Sequence, residues 1–258
     1  MTQRFCSLFF FTAIVLVHDH VLASTQDQAS ATIKSAAAPI AIYLDPGHGG
    51  TELGAVASGV IEANLMLEFS RELKVAFEKH NSFSVLTSRD QDQTKTLSQR
   101  VAEAHEQRAD LFLSLHANSA QSQKAKGIEI FFQPSQKPST EGAAVEQMIH
   151  DLKELGRQQT SFSLSKNLKQ EINTNENDLK STAVRIKQAP FYVLSKTQIP
   201  SVLIEIGFLT HPRERQKLQQ KKYRAQIAEE IVMAVKNFVD TRHLQKDFSD
   251  KASKRILN

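Results

Sequence analysis

Apolar residues along this chain fall into two rhythms: short unbroken runs, and longer stretches in which they recur at helical spacing. Ile40–Leu44, Phe83–Thr87, Leu111–Leu115, Gly127–Phe132 and Ser201–Ile206 are of the first kind, each bounded by turn-forming or polar residues, and are predicted to be strands. Phe191–Leu194 is a further strand candidate. The second kind begins near Ile61, where Leu65, Leu67, Leu73, Val75 and Phe77 sit among Glu, Arg and Lys as far as His80. Leu97, Val101, Ala104 and Arg108 continue it, and Leu218, Ile227, Ile231, Val235 and Phe238 mark a long closing helix with one apolar stripe. Strands alternating with helices predict an α/β fold, an open and mostly parallel sheet flanked by helices. No internal repeat interrupts the pattern.

The ends and one connection depart from it. Residues 1–23 read as a secretory signal: Arg4, an apolar stretch from Leu8 to Val17, and a small-residue cleavage site at Val21-Leu22-Ala23. That stretch is too short for a membrane span, and no later segment is long enough for one. Residues 24–38 are a polar linker, residues 39–240 the folded domain, and residues 241–258 a polar tail expected to fray. Residues 134–189 form a long connection with a helical stripe at Val145, Ile149, Leu152 and Leu155, and so stand out as an insertion.

Composition narrows the chemistry. The one cysteine, Cys6, lies inside the signal, so an exported chain holds metal only through His and carboxylates. The net charge is +4 and is not gathered into a basic, aromatic-laced patch, which argues against a nucleic-acid partner.

Candidate chemistry collects at strand ends. His48 follows the first strand in Asp45-Pro46-Gly47-His48-Gly49-Gly50, His116 follows Leu111–Leu115, and Glu205 lies near the end of Ser201–Ile206. Ligands of open α/β sheets bind beyond the carboxyl ends of the strands. Glu62, opening the helix after the glycine loop, faces the same edge. Two imidazoles, a carboxylate and an open position are the usual catalytic zinc set, with a second carboxylate available as base. Each residue also has a plainer role, His48 as a satisfied loop histidine. Glu62 suits the positive end of its helix, and His116 beside Asn118 suits a hydrogen-bonded core position. Glu205, among Val202, Leu203, Ile204 and Ile206, needs a cation, a cavity or a partner such as Arg89 or Arg100. His80, His105, His150, His211 and His243 read as surface residues.

Asp45–Gly50, Glu62, Arg89, Arg100, Ser114-Leu115-His116-Ala117-Asn118, Gln188–Leu194 and Val202–Thr210 together resemble the zinc-dependent N-acetylmuramoyl-L-alanine amidases of bacterial cell walls. The resemblance runs from about Ile40 to Asp240 and is loose over residues 134–185; His211 stands where that family often has Asn. It implies that His48, Glu62 and His116 bind Zn2+ and that Glu205 is the catalytic carboxylate. The activity implied is cleavage of the amide between N-acetylmuramic acid and L-alanine in peptidoglycan, in the periplasm or outside the cell. A different zinc amide hydrolase, such as a peptidase or deacetylase, and a wall-binding module without catalysis stay open. The resemblance also implies an activator protein acting on the 134–189 segment, whose Glu141, Glu146 or Asp151 would cover the metal at rest; the alternative is that its apolar stripe is an ordinary core-facing helix.

Overall fold

Strand β5 (Leu111–Asn118) lies inside a six-stranded sheet, with β1 (Ile40–Pro46) on one side and β8 (Ser201–Phe208) on the other. The computed structural model describes residues 38–134, 145–174, 179 and 182–256, with side chains to residue 242. Beyond β1 lies β4 (Phe83–Thr87); beyond β8 lie β6 (Ile128–Phe132) and β7 (Val184–Gln188). Strands β4, β1, β5 and β8 run parallel, and β6 with β7 runs against them. The mostly parallel sheet expected from the pattern is therefore present, with one reversed pair at its edge.

Alternation along the strands divides the core. Ile42, Leu44, Leu113, Leu115, Val202 and Ile204 face one layer, made by α1 (Glu62–Glu78), α3 (Val145–Thr174) and α6 (Lys221–Ile256). Tyr43, Phe112 and Leu203 face the other, covered by α2 (Leu97–Glu106) and the short α4 (Tyr192–Lys196). Phe112 is fully buried and stacks on Tyr43 at 5.4 Å; burying such a side chain is worth about 1.5–3 kcal/mol. A hairpin of β2 (Val56–Ala57) and β3 (Val60–Ile61) leads into α1, and α5 (Pro212–Leu218) follows β8.

Three expectations are corrected. Phe191–Leu194 is not a strand: Tyr192–Lys196 is the helix α4, and the strand beside β6 is Val184–Gln188. The long connection is thus a crossover through α3, ending in a strand inside residues 134–189. The closing helix also does not stop at Asp240 but continues to Ile256.

The third correction concerns α3. Ser161 Oγ accepts from Ser201 N at 2.9 Å, and Arg157 Nη1 donates to Leu194 O at 3.2 Å. These bonds fix the middle of the helix at the start of β8, and Phe162 packs on Phe132 at the same sheet edge. From there Leu164, Leu168 and Ile172 climb under the sheet. The first turns therefore project beyond the edge opposite Glu205, and Glu146 and Asp151 do not reach the strand ends where His48, Glu62 and His116 lie. Glu141 lies outside the described residues, as do the signal at residues 1–23 and the linker up to residue 37.

Candidate metal centre

The strand ends deliver the expected side chains to one place. β1 ends in Pro46, and Gly47 N donates to Leu115 O at 2.9 Å, so the glycine loop is tied to β5. His48 then takes φ 59°, a left-handed conformation uncommon for a residue with a Cβ. Two glycines make the approach close enough. A Cβ on Gly47 would lie 2.3 Å from His116 Cε1, and one on Gly54 would lie 2.6 Å from both Glu62 Oε2 and His48 Cδ2.

Glu62 holds the centre. Its Oε2 accepts from Ala55 N at 2.8 Å, which aims Oε1 at His116 Nδ1 (2.9 Å) and His48 Nε2 (3.3 Å). The imidazoles meet edge-on with centroids 5.1 Å apart, and donor atoms of all three residues lie within 4.8 Å of one another. Tetrahedral zinc, with ligand bonds of about 2.0–2.2 Å, separates its donors by roughly 3.4 Å, so these spacings fit a metal with small adjustments. Burial alone would raise the Glu62 carboxyl, but hydrogen bonds from His116 and His48 outweigh it and hold it well below the carboxylate range. A carboxylate kept charged between two imidazoles is what a divalent cation needs.

Glu205 stands opposite His116 in the β5–β8 register and so shares its face of the sheet. Its Oε2 is buried and has no hydrogen-bond partner among the described residues. Burial pushes its pKa up to about 7, with Glu62 and Glu129 adding to the rise and His116 and Lys187 opposing it. Neither Arg89 nor Arg100 pairs with it; of the two roles the sequence left open for them, partner of Glu205 or structural ion pair, Arg100 takes the second with Asp45. Both brace the glycine loop: Arg100 binds Asp45 Oδ1 at 2.7 Å and the carbonyls of Pro46 and His48, while Arg89 binds those of Pro46, Gly47 and Ala63. Such a pair of buried guanidiniums fixes the backbone that carries His48.

The sequence reading passed over three residues. Asp45 is 1% exposed and gathers Arg100, Ser88 and Ser114. Glu129 is the direct partner of Glu205 across β6 and β8, and Lys187 binds it at 2.6 Å. The available signal for Glu129 was a lone carboxylate in the apolar run Ile128–Phe132, the same signal that singled out Glu205. His105 and His211 are also more than surface residues: His105 Nε2 accepts from Gln198 N, and the His211 ring accepts from Glu214 N to cap α5.

Residues 42–237 match the family described as N-acetylmuramoyl-L-alanine amidase, Amidase_3. The chain belongs to that family. It is 31% identical over 199 residues to YqiI of Bacillus subtilis, covering 77% of this chain and 84% of that protein. It is 32% identical over 221 residues to the N-acetylmuramoyl-L-alanine amidase AmiC of Escherichia coli O6:H1, covering 78% of this chain but only 53% of the relative. Among solved structures, the N-acetylmuramoyl-L-alanine amidase from Clostridium difficile 630 superposes with a TM-score of 0.62 at 27% identity, over 79% of this chain and 98% of that one. The catalytic domain of CwlV from Bacillus (Paenibacillus) polymyxa gives the same TM-score at 22% identity, over 78% and 98%, and supports the fold.

Proposed function

We propose that the chain is an exported zinc hydrolase that cleaves the amide between N-acetylmuramic acid and L-alanine in peptidoglycan. One observation carries the reading: a buried Glu205 Oε2 with no partner among the described residues, beside three converging side chains able to hold a metal, in a member of an amidase family. His48, Glu62 and His116 would hold zinc, which when bound polarises a scissile carbonyl and acidifies the attacking water. Glu205 then takes a proton from that water at its free oxygen and passes it to the leaving nitrogen of L-alanine. A carboxyl with a pKa of about 7 suits both transfers at neutral pH. Glu62 is excluded from the proton steps because both its oxygens are committed to holding the site.

Export rests on the signal read in residues 1–23, and places the enzyme in the periplasm or outside the cell. No helix among the described residues is long and apolar enough to cross a membrane. An activator acting on residues 134–189 is part of the proposal, and one solved relative is the CwlD amidase of Clostridioides difficile in complex with the GerS lipoprotein. The exposed Val145, Met148, Ile149 and Leu152 on the first turns of α3 are the surface for it. Its action would not be to lift Glu146 or Asp151 from the metal, because those turns sit at the other sheet edge.

Digestion of purified peptidoglycan by zinc-loaded protein tests the function. The expected products are peptide-free glycan and stem peptides with a new amino terminus on L-alanine. Released acetate would indicate a deacetylase, cleavage inside the peptide a peptidase, and binding without products a wall-binding module.

A further inference from the structure

The sheet carries a polar rung that extends beyond the catalytic pair. Register places His116, Glu205, Glu129 and Arg185 side by side on β5, β8, β6 and β7, all on one face. Lys187, two residues beyond Arg185, points to that same face. The two carboxylates lie in the middle of the rung, with Glu129 buried, and the far end is cationic and open. Glu129 has a side chain only 7% exposed, whereas Arg185 and Lys187 are 49% and 44% exposed. Lys187 Nζ is held 2.6 Å from Glu129 Oε1 and 5.6 Å from the centre of the Phe131 ring, and Arg185 Nη1 lies 3.9 Å from the same carboxylate oxygen. Two cations thus share the Glu129 carboxylate, and Arg185 Nη1 also donates to Lys126 O at 3.0 Å. An ammonium offers three donors and a guanidinium five, more than these contacts use.

From this arrangement we infer that Arg185 and Lys187 form a carboxylate subsite for the stem peptide. The inference rests on the amidase reading. Neighbouring strands are about 4.8 Å apart, so β7 lies roughly 10 Å from β8, within which long side chains reach back toward the centre. In peptidoglycan the residue after L-alanine is linked onward through its side chain, so its α-carboxylate is free. An extended peptide puts that group two residues from the scissile carbonyl, about 7 Å away. The group would then meet the cations while the carbonyl stands at Glu205. Glu129 serves as a positioning residue: it keeps both cations at the rim, and Asn118 Nδ2 ties its other oxygen at 3.2 Å.

The test compares two soluble muropeptides that are identical except that this α-group is a carboxylate in one and a carboxamide in the other. Zinc-loaded wild type should cut the carboxylate form with a kcat/KM at least about tenfold higher, the worth of one charge-assisted hydrogen bond, and mostly through KM. The double variant Arg185→Gln, Lys187→Gln should bring the ratio close to one. A change acting only through the charge felt by Glu205 would slow both substrates alike and leave the ratio standing, which would overturn the inference. Equal rates in the wild type would also overturn it. Cleavage of neither substrate would remove the amidase reading and the subsite with it, whereas cleavage of both without preference removes the subsite alone.

Discussion

Glu205 and Glu129 face each other in the antiparallel register of β8 and β6, two carboxylates on one face of the sheet. They are treated differently. Glu129 receives Asn118 and Lys187, while the Oε2 of Glu205 receives nothing among the described residues. The sheet therefore ties one carboxylate to neighbours on both oxygens and leaves an oxygen of the other without one.

That difference has a stability signature in chelator-treated, zinc-free protein. The Glu205 pKa is raised on folding, so the folded state holds a proton that the unfolded state has lost between about pH 4.5 and 7. Its contribution is present at low pH and disappears as pH rises through about 7. Denaturant unfolding of wild type and Glu205→Gln should show the wild type losing ground to the variant from pH 5 to pH 8, by on the order of 2 kcal/mol. A difference that does not vary with pH would contradict the raised pKa.

Gly47 should matter through space alone. Its added Cβ would sit 2.3, 2.6 and 2.7 Å from three atoms of the His116 ring, which would have to move. Gly47→Ala is expected to keep the far-ultraviolet circular dichroism of the wild type and to lose most bound zinc by elemental analysis, although no ligand is removed. Full zinc in this variant would mean that the loop does not press on His116.

Asp45 and Arg100 form an ion pair with both side chains 2% exposed. Arg100→Met strands Asp45 in the core, and breaking such a pair costs about 3–5 kcal/mol. Asp45→Asn combined with Arg100→Met should recover part of that loss in equilibrium unfolding. A double variant less stable than Arg100→Met alone would show that the arginine's bonds to the Pro46 and His48 carbonyls, and not the ion pair, dominate.

Much of the site was legible because its residues break local rules. His48 lies in a glycine loop after a buried run, and Glu205 is a charge inside an apolar strand. Such positions are costly without a reason, so they point to chemistry. Strand β7 was not legible because it is an edge strand with Arg185, Lys187 and Gln188 exposed, so no apolar rhythm marks it. Phe191–Leu194 misled in the opposite way, since a short apolar run reads alike in a strand and in a one-turn helix. The stripe on α3 did predict a helix, but its pattern could not say that Val145 and Leu152 remain exposed or at which sheet edge they emerge. That information resides in bonds such as Ser161 to Ser201, forty residues apart.

The most direct test of the account is Glu205→Gln in zinc-loaded protein, with metal content and peptidoglycan hydrolysis measured on the same preparation. Glutamine keeps the volume and cannot take a proton from water. The account predicts full zinc occupancy with hydrolysis reduced by roughly two to four orders of magnitude, the usual worth of a general base. Full zinc with near wild-type release of stem peptide would contradict it.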